Sequence, residues 1–223
     1  MIEIKDCIIP TFDVLTADQI SKINDSSYLV KHRKNEMLFI QNAPLSHVLY
    51  LKSGLVKLYR EIENERKVIL HIFPPGHFVG LVSAFYDTRC QYSASFIDNS
   101  EVIYCEANLI REIIRENGNY SLNLMKILSD EAIAMMEKMI SISQKQVTGR
   151  LAEVLLFFAQ KIYKQNTFSL PLSRQELAEL ISSTKESISR TLTEFKNDRI
   201  IALDDKRIEL KSIDLLQILS KIG

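Results

Sequence analysis

The hydrophobic rhythm of the chain changes twice. A capping-box segment, TADQI at 16–20, opens a first short helix, with Thr16 as cap and Gln19 reaching back. From about residue 31 to 105, short runs rich in β-branched and aromatic residues (MLFI, HVLYL, LVKLY, KVILHIF, YSASFI, EVIYC) alternate with turn signals such as NAP, SG, PPG and DNS. Many short strands at this spacing predict an antiparallel β-roll, barrel or sandwich. Pro74, Pro75 and Gly76 cannot lie inside a central strand, so they mark a corner. From about 107 to 164 the spacing becomes helical, with breaks near Gly118–Asn119 and near Gly149. The remainder reads as a helix over about 150–164, an extended FSLPL, two helices with a tight junction, a strand, a DDK turn, a strand RIEL and a terminal helix. The fold class is α+β.

Within the long helical stretch, Leu128, Ala132, Met135, Met139, Ile142 and Gln146 recur at spacings of 4, 3, 4, 3 and 4. That is an a/d seam, the pattern by which two helices pack along their length. It predicts a parallel homodimer; the alternative is packing on the chain's own β domain. The domains are therefore drawn at 1–117 for the β-roll, 118–146 for the dimerisation helix and 147–223 for a small C-terminal domain.

The C-terminal junction carries the candidate chemistry. SRQELAELI starts with a capping box, Ser173 and Glu176, and buries Leu177, Leu180 and Ile181. A second helix follows after only ISST, which makes a helix-turn-helix. At about 100° per residue, Ile188, Leu192 and Phe195 share one buried stripe. Glu186, Ser189, Arg190, Thr193 and Asn197 cluster on the opposite side. The first turns of such a helix reach base edges in the major groove of DNA. There an arginine pairs with guanine and a glutamate accepts from cytosine. The bland reading is a solvated face with a Glu186–Arg190 pair; the tight turn before it and the strand–turn–strand wing after it favour DNA. Two caps are open: Ser183 as N-cap would fold Glu186 back as a box partner, and Thr184 would leave it free.

Composition narrows this. The 28 Lys+Arg balance 28 Asp+Glu, so a nucleic-acid contact has to be a local patch rather than a global field. Residues 146–223 hold 12 basic and 10 acidic side chains, a net of +2. The N-terminus lacks a signal-peptide pattern and no apolar run is long enough to span a bilayer, so a cytoplasmic location and no membrane partner are expected. Cys7, Cys90 and Cys105 are far apart with no C-x-x-C pair, so no metal spacing is present. No P-loop, H-E-x-x-H or G-x-S-x-G motif occurs, so no enzyme is expected.

Over nearly its whole length the sequence resembles the CRP/FNR family of bacterial transcription regulators. VTGRLAEVLLFFAQ at 147–160 is similar to the family's hinge and first helix of its DNA domain. LSRQELAELISSTKESISRTLTEFKNDRII at 172–201 is similar to its helix-turn-helix. NEMLFIQNAPLSHVLYLKSGLVKLY at 35–59 and FPPGHFVG at 73–80 resemble its cyclic-nucleotide-binding-like β-roll. The resemblance implies a homodimer on a twofold-symmetric double-stranded DNA operator, with Lys185, Glu186, Ser189 and Arg190 at the bases. The E-x-x-S-R order is the FNR type and implies TTGA-like half-sites. Thr148, Ser173, Arg174, Gln175, Thr184, Ser187 and wing Lys206 match phosphate-contacting positions. Ser182 stands where the turn often has glycine, which implies a strained left-handed residue.

The sensor domain departs from the cyclic-AMP pattern. Gly80-Leu81-Val82 replaces the motif that supplies a carboxylate to the ribose. Tyr92-Ser93-Ala94 replaces the one that supplies an arginine to the phosphate. A buried phosphodiester without its arginine keeps an uncompensated charge, so no cyclic AMP binding is expected. Met135 and Met136 stand where the long helix offers hydroxyls to the base, which together with Gly80, Leu81, Tyr92 and Ser93 makes an apolar effector pocket. An FNR-type iron–sulfur cluster needs several N-terminal cysteines and only Cys7 is there. Haem on His77 or His71 with a cysteine stays open, and the cofactor is otherwise unspecified. RNA polymerase is a partner only if the protein activates. A sensing module acting through protein partners is the competing function.

Overall fold

The computed structural model describes residues 12–62, 66–86 and 89–222. The segment MIEIKDC, with Cys7, lies outside the described residues. Two compact units are present, one formed by Met1–Arg66 with Leu70–Ile133, the other by Lys67–Ile69 with Ala134–Gly223.

In the first unit, α1 (Ala17–Ser26) begins at the Thr16 capping box, with both reciprocal hydrogen bonds formed. Eight strands follow: β1 (Tyr28–His32), β2 (Met37–Phe39), β3 (His47–Ser53), β4 (Val56–Glu61), β5 (Lys67–Phe73), β6 (His77–Val79), β7 (Ser93–Phe96) and β8 (Ser100–Glu106). They pair into two four-stranded sheets, in the orders β1-β8-β3-β6 and β2-β7-β4-β5. A short helix, α2 (Leu81–Tyr86), interrupts the strands, and α3 (Ala107–Glu116) follows them.

The pattern of β3 explains the layering. Successive side chains of a strand point to opposite faces. Leu49 and Leu51 enter the core between the sheets, with Phe39, Val56, Leu58, Val79, Phe96 and Val102. Val48 and Tyr50 enter a second core on the other face, with Ile23 of α1, Leu81 of α2, Ile110 and Ile113 of α3, and Tyr120 and Leu124. Because both faces are covered, HVLYL is a continuous apolar run rather than an alternating one. The turn from β3 to β4 needs its glycine: Gly54 has φ +89°, and a Cβ there would meet Ser100 Oγ at 2.0 Å.

The helix α4 (Gly118–Gln144) is continuous over 27 residues. In the second unit, α5 (Val147–Phe157) gives way to a π-helical turn over Phe158–Tyr163, closed by Lys164 in the left-handed region. The expected helix over 150–164 is thus present, with its last turns π-helical, where Phe158 is buried and Tyr163 stacks on Phe168 (ring centroids 5.1 Å apart). The break expected near Gly149 falls instead at Lys145–Gln146. Then come β9 (Thr167–Ser169), α6 (Arg174–Ile181), α7 (Lys185–Asn197), β10 (Ile201–Asp204), β11 (Arg207–Leu210) and α8 (Ile213–Ile222). The small sheet has the order β10-β11-β9, all antiparallel. Its core holds Leu151, Leu155, Phe158, Leu177, Ile188, Leu192, Phe195, Ile208 and Leu216.

Candidate nucleic-acid interface

The sequence dictates the turn between α6 and α7 residue by residue. Ser173 Oγ accepts the Glu176 N–H at 3.2 Å while Glu176 Oε2 accepts the Ser173 N–H at 2.8 Å, which starts α6. Ser182 ends it at φ 54°, ψ 59°, and the Ser182 and Ser183 N–H groups both turn back to the Ala178 carbonyl. That is the left-handed residue the sequence leads one to expect, and it is a serine.

Thr184 is the N-cap of α7: its Oγ1 accepts the Ser187 N–H at 3.2 Å. This decides between the two caps. Glu186 sits at the second helical position, exposed, and is not drawn back as a box partner. Lys185, Ser189 and Arg190 are exposed beside it, while Ile188, Thr191, Leu192 and Phe195 are buried. Arg190 pairs with Glu194 at 3.9 Å rather than with Glu186, and its side chain is 74% exposed. A pair that long and that wet holds the guanidinium loosely. Ser189 Oγ donates to the Lys185 carbonyl and Thr193 Oγ1 to the Ser189 carbonyl, both at 2.9 Å.

The expected phosphate contacts differ in exposure. Ser173, Gln175, Thr184 and Lys206 are exposed; Thr148, Arg174 and Ser187 are half-buried. Thr148, Arg174 and Gln175, and Ser187 lie in the first turns of α5, α6 and α7, where free N–H groups and the helix dipole favour an anion. Burial holds the Arg174 guanidinium below its usual value, and Asp205 in the β10–β11 turn opposes that shift. Gln175 Nε2 donates to Glu179 Oε1 at 3.1 Å. Lys206 projects from the same turn, where Asp205 has φ 50°, and its carbonyl accepts the Leu170 N–H.

Sequence reasoning missed Arg150. From α5 its Nη1 donates to the Ile181 carbonyl at 2.6 Å and to the Ser182 carbonyl at 3.3 Å. It thereby ties down the carbonyl end of α6 where the chain turns toward α7. A lone arginine early in a helix carries no pattern that points to a partner 31 residues away.

The α4 helix bears two stripes. Tyr120 and Leu124 are buried in the first unit's core, with Ile127 and Leu128 packed against it. The exposed stripe is Leu122, Met125, Ser129, Ala132, Met136 and Met139, at spacings of 3, 4, 3, 4 and 3, flanked by exposed Ile133 and Ile140. The expected seam shares only Ala132 and Met139 with it. Leu128 and Ile142 are half-buried, and Met135 is 39% exposed. Met136, expected in the effector pocket, is 62% exposed and belongs to the outward stripe. On the covered side, burial pushes the Glu131 carboxyl up to about 7. It also pushes Lys138 down to about 8, with its ammonium donating to the Ile69 carbonyl at 2.7 Å.

The remaining pocket residues are placed one by one. Gly80 has φ +77°, and a Cβ there would touch the Phe39 ring at 3.1 Å. Leu81 is core and Val82 is exposed. Ser93 is buried, its hydroxyl accepting the Gln41 N–H at 3.0 Å, and Tyr92 packs on the core between the sheets. His77 is exposed with Nδ1 at 3.3 Å from the Pro75 carbonyl, and His71 stands edge-on to Phe73. Cys90 and Cys105 are buried, and desolvation raises both thiols, Cys105 to about 11. Among the described residues no three His, Cys, Asp or Glu side chains are grouped to hold a metal ion, and no helix is long and apolar enough to cross a membrane.

Comparison with known proteins assigns both halves. Residues 29–117 match the model of the cyclic nucleotide-binding domain, and 149–219 match that of the Crp-like helix-turn-helix domain. The chain belongs to the CRP/FNR family. It is a DNA-binding regulator of transcription and not an enzyme. Among relatives of this family, the transcriptional activator protein FnrL of Cereibacter sphaeroides is 22% identical, over 93% of this chain and 85% of its own. A CRP-like cAMP-activated global transcriptional regulator of Mycobacterium tuberculosis is 23% identical, over 82% and 84%. The structure of FixK2 from Bradyrhizobium japonicum superposes with a TM-score of 0.80 at 20% identity, covering 86% of this chain and 96% of that one. Such divergent relatives establish the fold and leave the effector undefined.

Proposed function

We propose that the protein acts as a homodimer that reads a palindromic operator with TTGA-like half-sites. The observation that carries this is the N-terminal face of α7: Thr184 as cap leaves Glu186 free beside Arg190, with Lys185 and Ser189, on the helix that follows the tight Ser182 turn. A carboxylate at a DNA surface is repelled by phosphate unless it meets a base donor, so its exposure favours sequence reading over general adhesion. Thr148, Ser173, Arg174, Gln175, Thr184, Ser187 and Lys206 are the phosphate contacts that set its register. Pairing runs along the outward α4 stripe centred on Ala132, Met136 and Met139, which moves the seam from the one the heptad count alone suggests.

The sensor unit does not take cyclic AMP in this reading. Leu81 is in the core, Val82 has no carboxylate, and Ser93 already accepts a backbone N–H. The effector, where there is one, is apolar.

Selection from random duplex DNA with the purified chain and no added effector tests the proposal. Recovery of a palindrome with TTGA-like halves supports it. Sequence-blind, salt-sensitive binding in both buffer and cell extract refutes it and favours action through protein partners.

A further inference from the structure

A polar cluster at the end of α4 has no part in the DNA face. Glu153 of α5 receives the Ser141 hydroxyl on one carboxylate oxygen and the Lys145 ammonium on the other. Lys145 also donates to the Ser220 carbonyl of α8 at 2.5 Å. Ser141 is buried, and the Lys145 side chain is largely covered. Ser220 lies in the last turn of α8, where free carbonyls and the negative end of the helix dipole favour a cation.

Three helices thus meet on two side chains. Ser141 is in the last turn of α4, and Lys145 is one of the two residues between α4 and α5. The chain at Lys145–Gln146 is free to turn about its own backbone dihedrals unless something holds it. Glu153 and Lys145 supply that hold, and they are charged, directional and reversible. An apolar contact of the same size is insensitive to a small rotation, whereas a carboxylate shared between two donors is not.

We infer that Glu153, with Lys145, is a positioning element that fixes the angle at which α4 leaves the DNA-binding fold, and with it the operator spacing the protein accepts. The inference rests on the proposed pairing through α4. In such a dimer this angle sets the distance between the two α7 helices, which has to match half-sites one DNA turn apart, about 34 Å. None of the cluster's residues belongs to the base-reading or phosphate-contacting set, nor to the outward α4 stripe. Loosening the joint therefore leaves each half-site contact intact and degrades only their coordination.

The test uses the full chain and three variants: Glu153→Gln, Lys145→Met, and the exchange Glu153→Lys with Lys145→Glu. Binding is measured by fluorescence anisotropy on the selected palindrome, on palindromes with one base pair added to or removed from the spacer, and on a single half-site. Each single variant is expected to lose about tenfold on the palindrome, a size usual for coupling between sites. It is also expected to discriminate less between spacers, to change half-site binding by less than about twofold, and to keep the wild-type sedimentation coefficient. The exchange restores spacer discrimination in part. Unchanged spacer preference in both single variants overturns the inference, as does an equal loss on half-site and palindrome, which marks a merely structural role. A wild-type chain that selects no palindrome overturns the proposed function first and the joint's role with it.

Discussion

Replacing Ser182 by glycine tests the geometry that aims α7. The residue has φ 54° and ψ 59°, and its exposed side chain makes no hydrogen bond among the described residues. Left-handed backbone costs an L residue about 1–2 kcal/mol. Glycine removes that cost but loses about 0.5–1 kcal/mol more in conformational entropy on folding. The Arg150 bond to the Ser182 carbonyl is to the main chain and survives the change. The net expectation is a gain of about 0.5–1 kcal/mol, which slows local opening about twofold to fivefold. Hydrogen exchange of the Ser183 and Ile188 amides reads this, since the first is held across the junction by the Ala178 carbonyl and the second closes the first turn of α7 on the Thr184 carbonyl. Ser182→Ala is the control, because it deletes the hydroxyl and keeps the strained φ. Exchange slowed by glycine and not by alanine is the expected result. Equal slowing by both, or faster exchange in the glycine variant, refutes the argument that backbone strain limits the turn.

Arg190→Ala is expected to cost about 1–3 kcal/mol of operator affinity and to relax preference at one base position, whereas Lys206→Ala weakens all sequences alike and lowers the salt slope by about one; parallel selections and salt titrations separate the two. Met139, 73% exposed on the outward stripe, has about 1.5–3 kcal/mol to gain from burial in each protomer, so Met139→Lys is expected to weaken the dimer by at least about a hundredfold in analytical ultracentrifugation. Monomer–dimer behaviour that this change leaves untouched rules out the α4 stripe as the seam. Stability is expected to vary with pH through Glu131 and Lys138. Glu131 rises from 4.5 to about 7 on folding, so the folded state holds the extra proton and stability falls as pH rises through that window. Lys138 drops from 10.5 to about 8, so the unfolded state holds the extra proton and stability rises with pH from about 8 toward 10.5. Urea midpoints across this range are expected to dip between about pH 7 and 8, with Glu131→Gln flattening the acid side and Lys138→Met the alkaline side.

What was legible in the sequence was whatever a single helix or turn determines by itself. The capping boxes at Thr16 and Ser173, the buried stripe of α7, the DDK hairpin and the left-handed Ser182 each depend on residues within a few positions, and all are present. Where a second element does the deciding, local pattern says little. Around residues 133–142, Ile133, Met135, Met136, Met139, Ile140 and Ile142 put apolar side chains on more than one face of α4, so more than one heptad register fits. Tyr120 and Leu124 dock into the core beside β3 and β8, and the stripe opposite them is exposed. Strand β1 was missed at its start because Tyr28 belongs to a surface stack with Tyr104, its partner in β8, which no local pattern encodes. The six residues of α2 are too few to show a helical period inside a run of strands. The same reasoning explains why the two kinds of functional residue differ in visibility. The residues proposed to read bases are legible from helix phase, because their proposed role needs exposure. Arg150, Lys145 and Glu153 act by gripping carbonyls and partners on other elements, as far as 75 residues along the chain, and their spacing in sequence carries no trace of it.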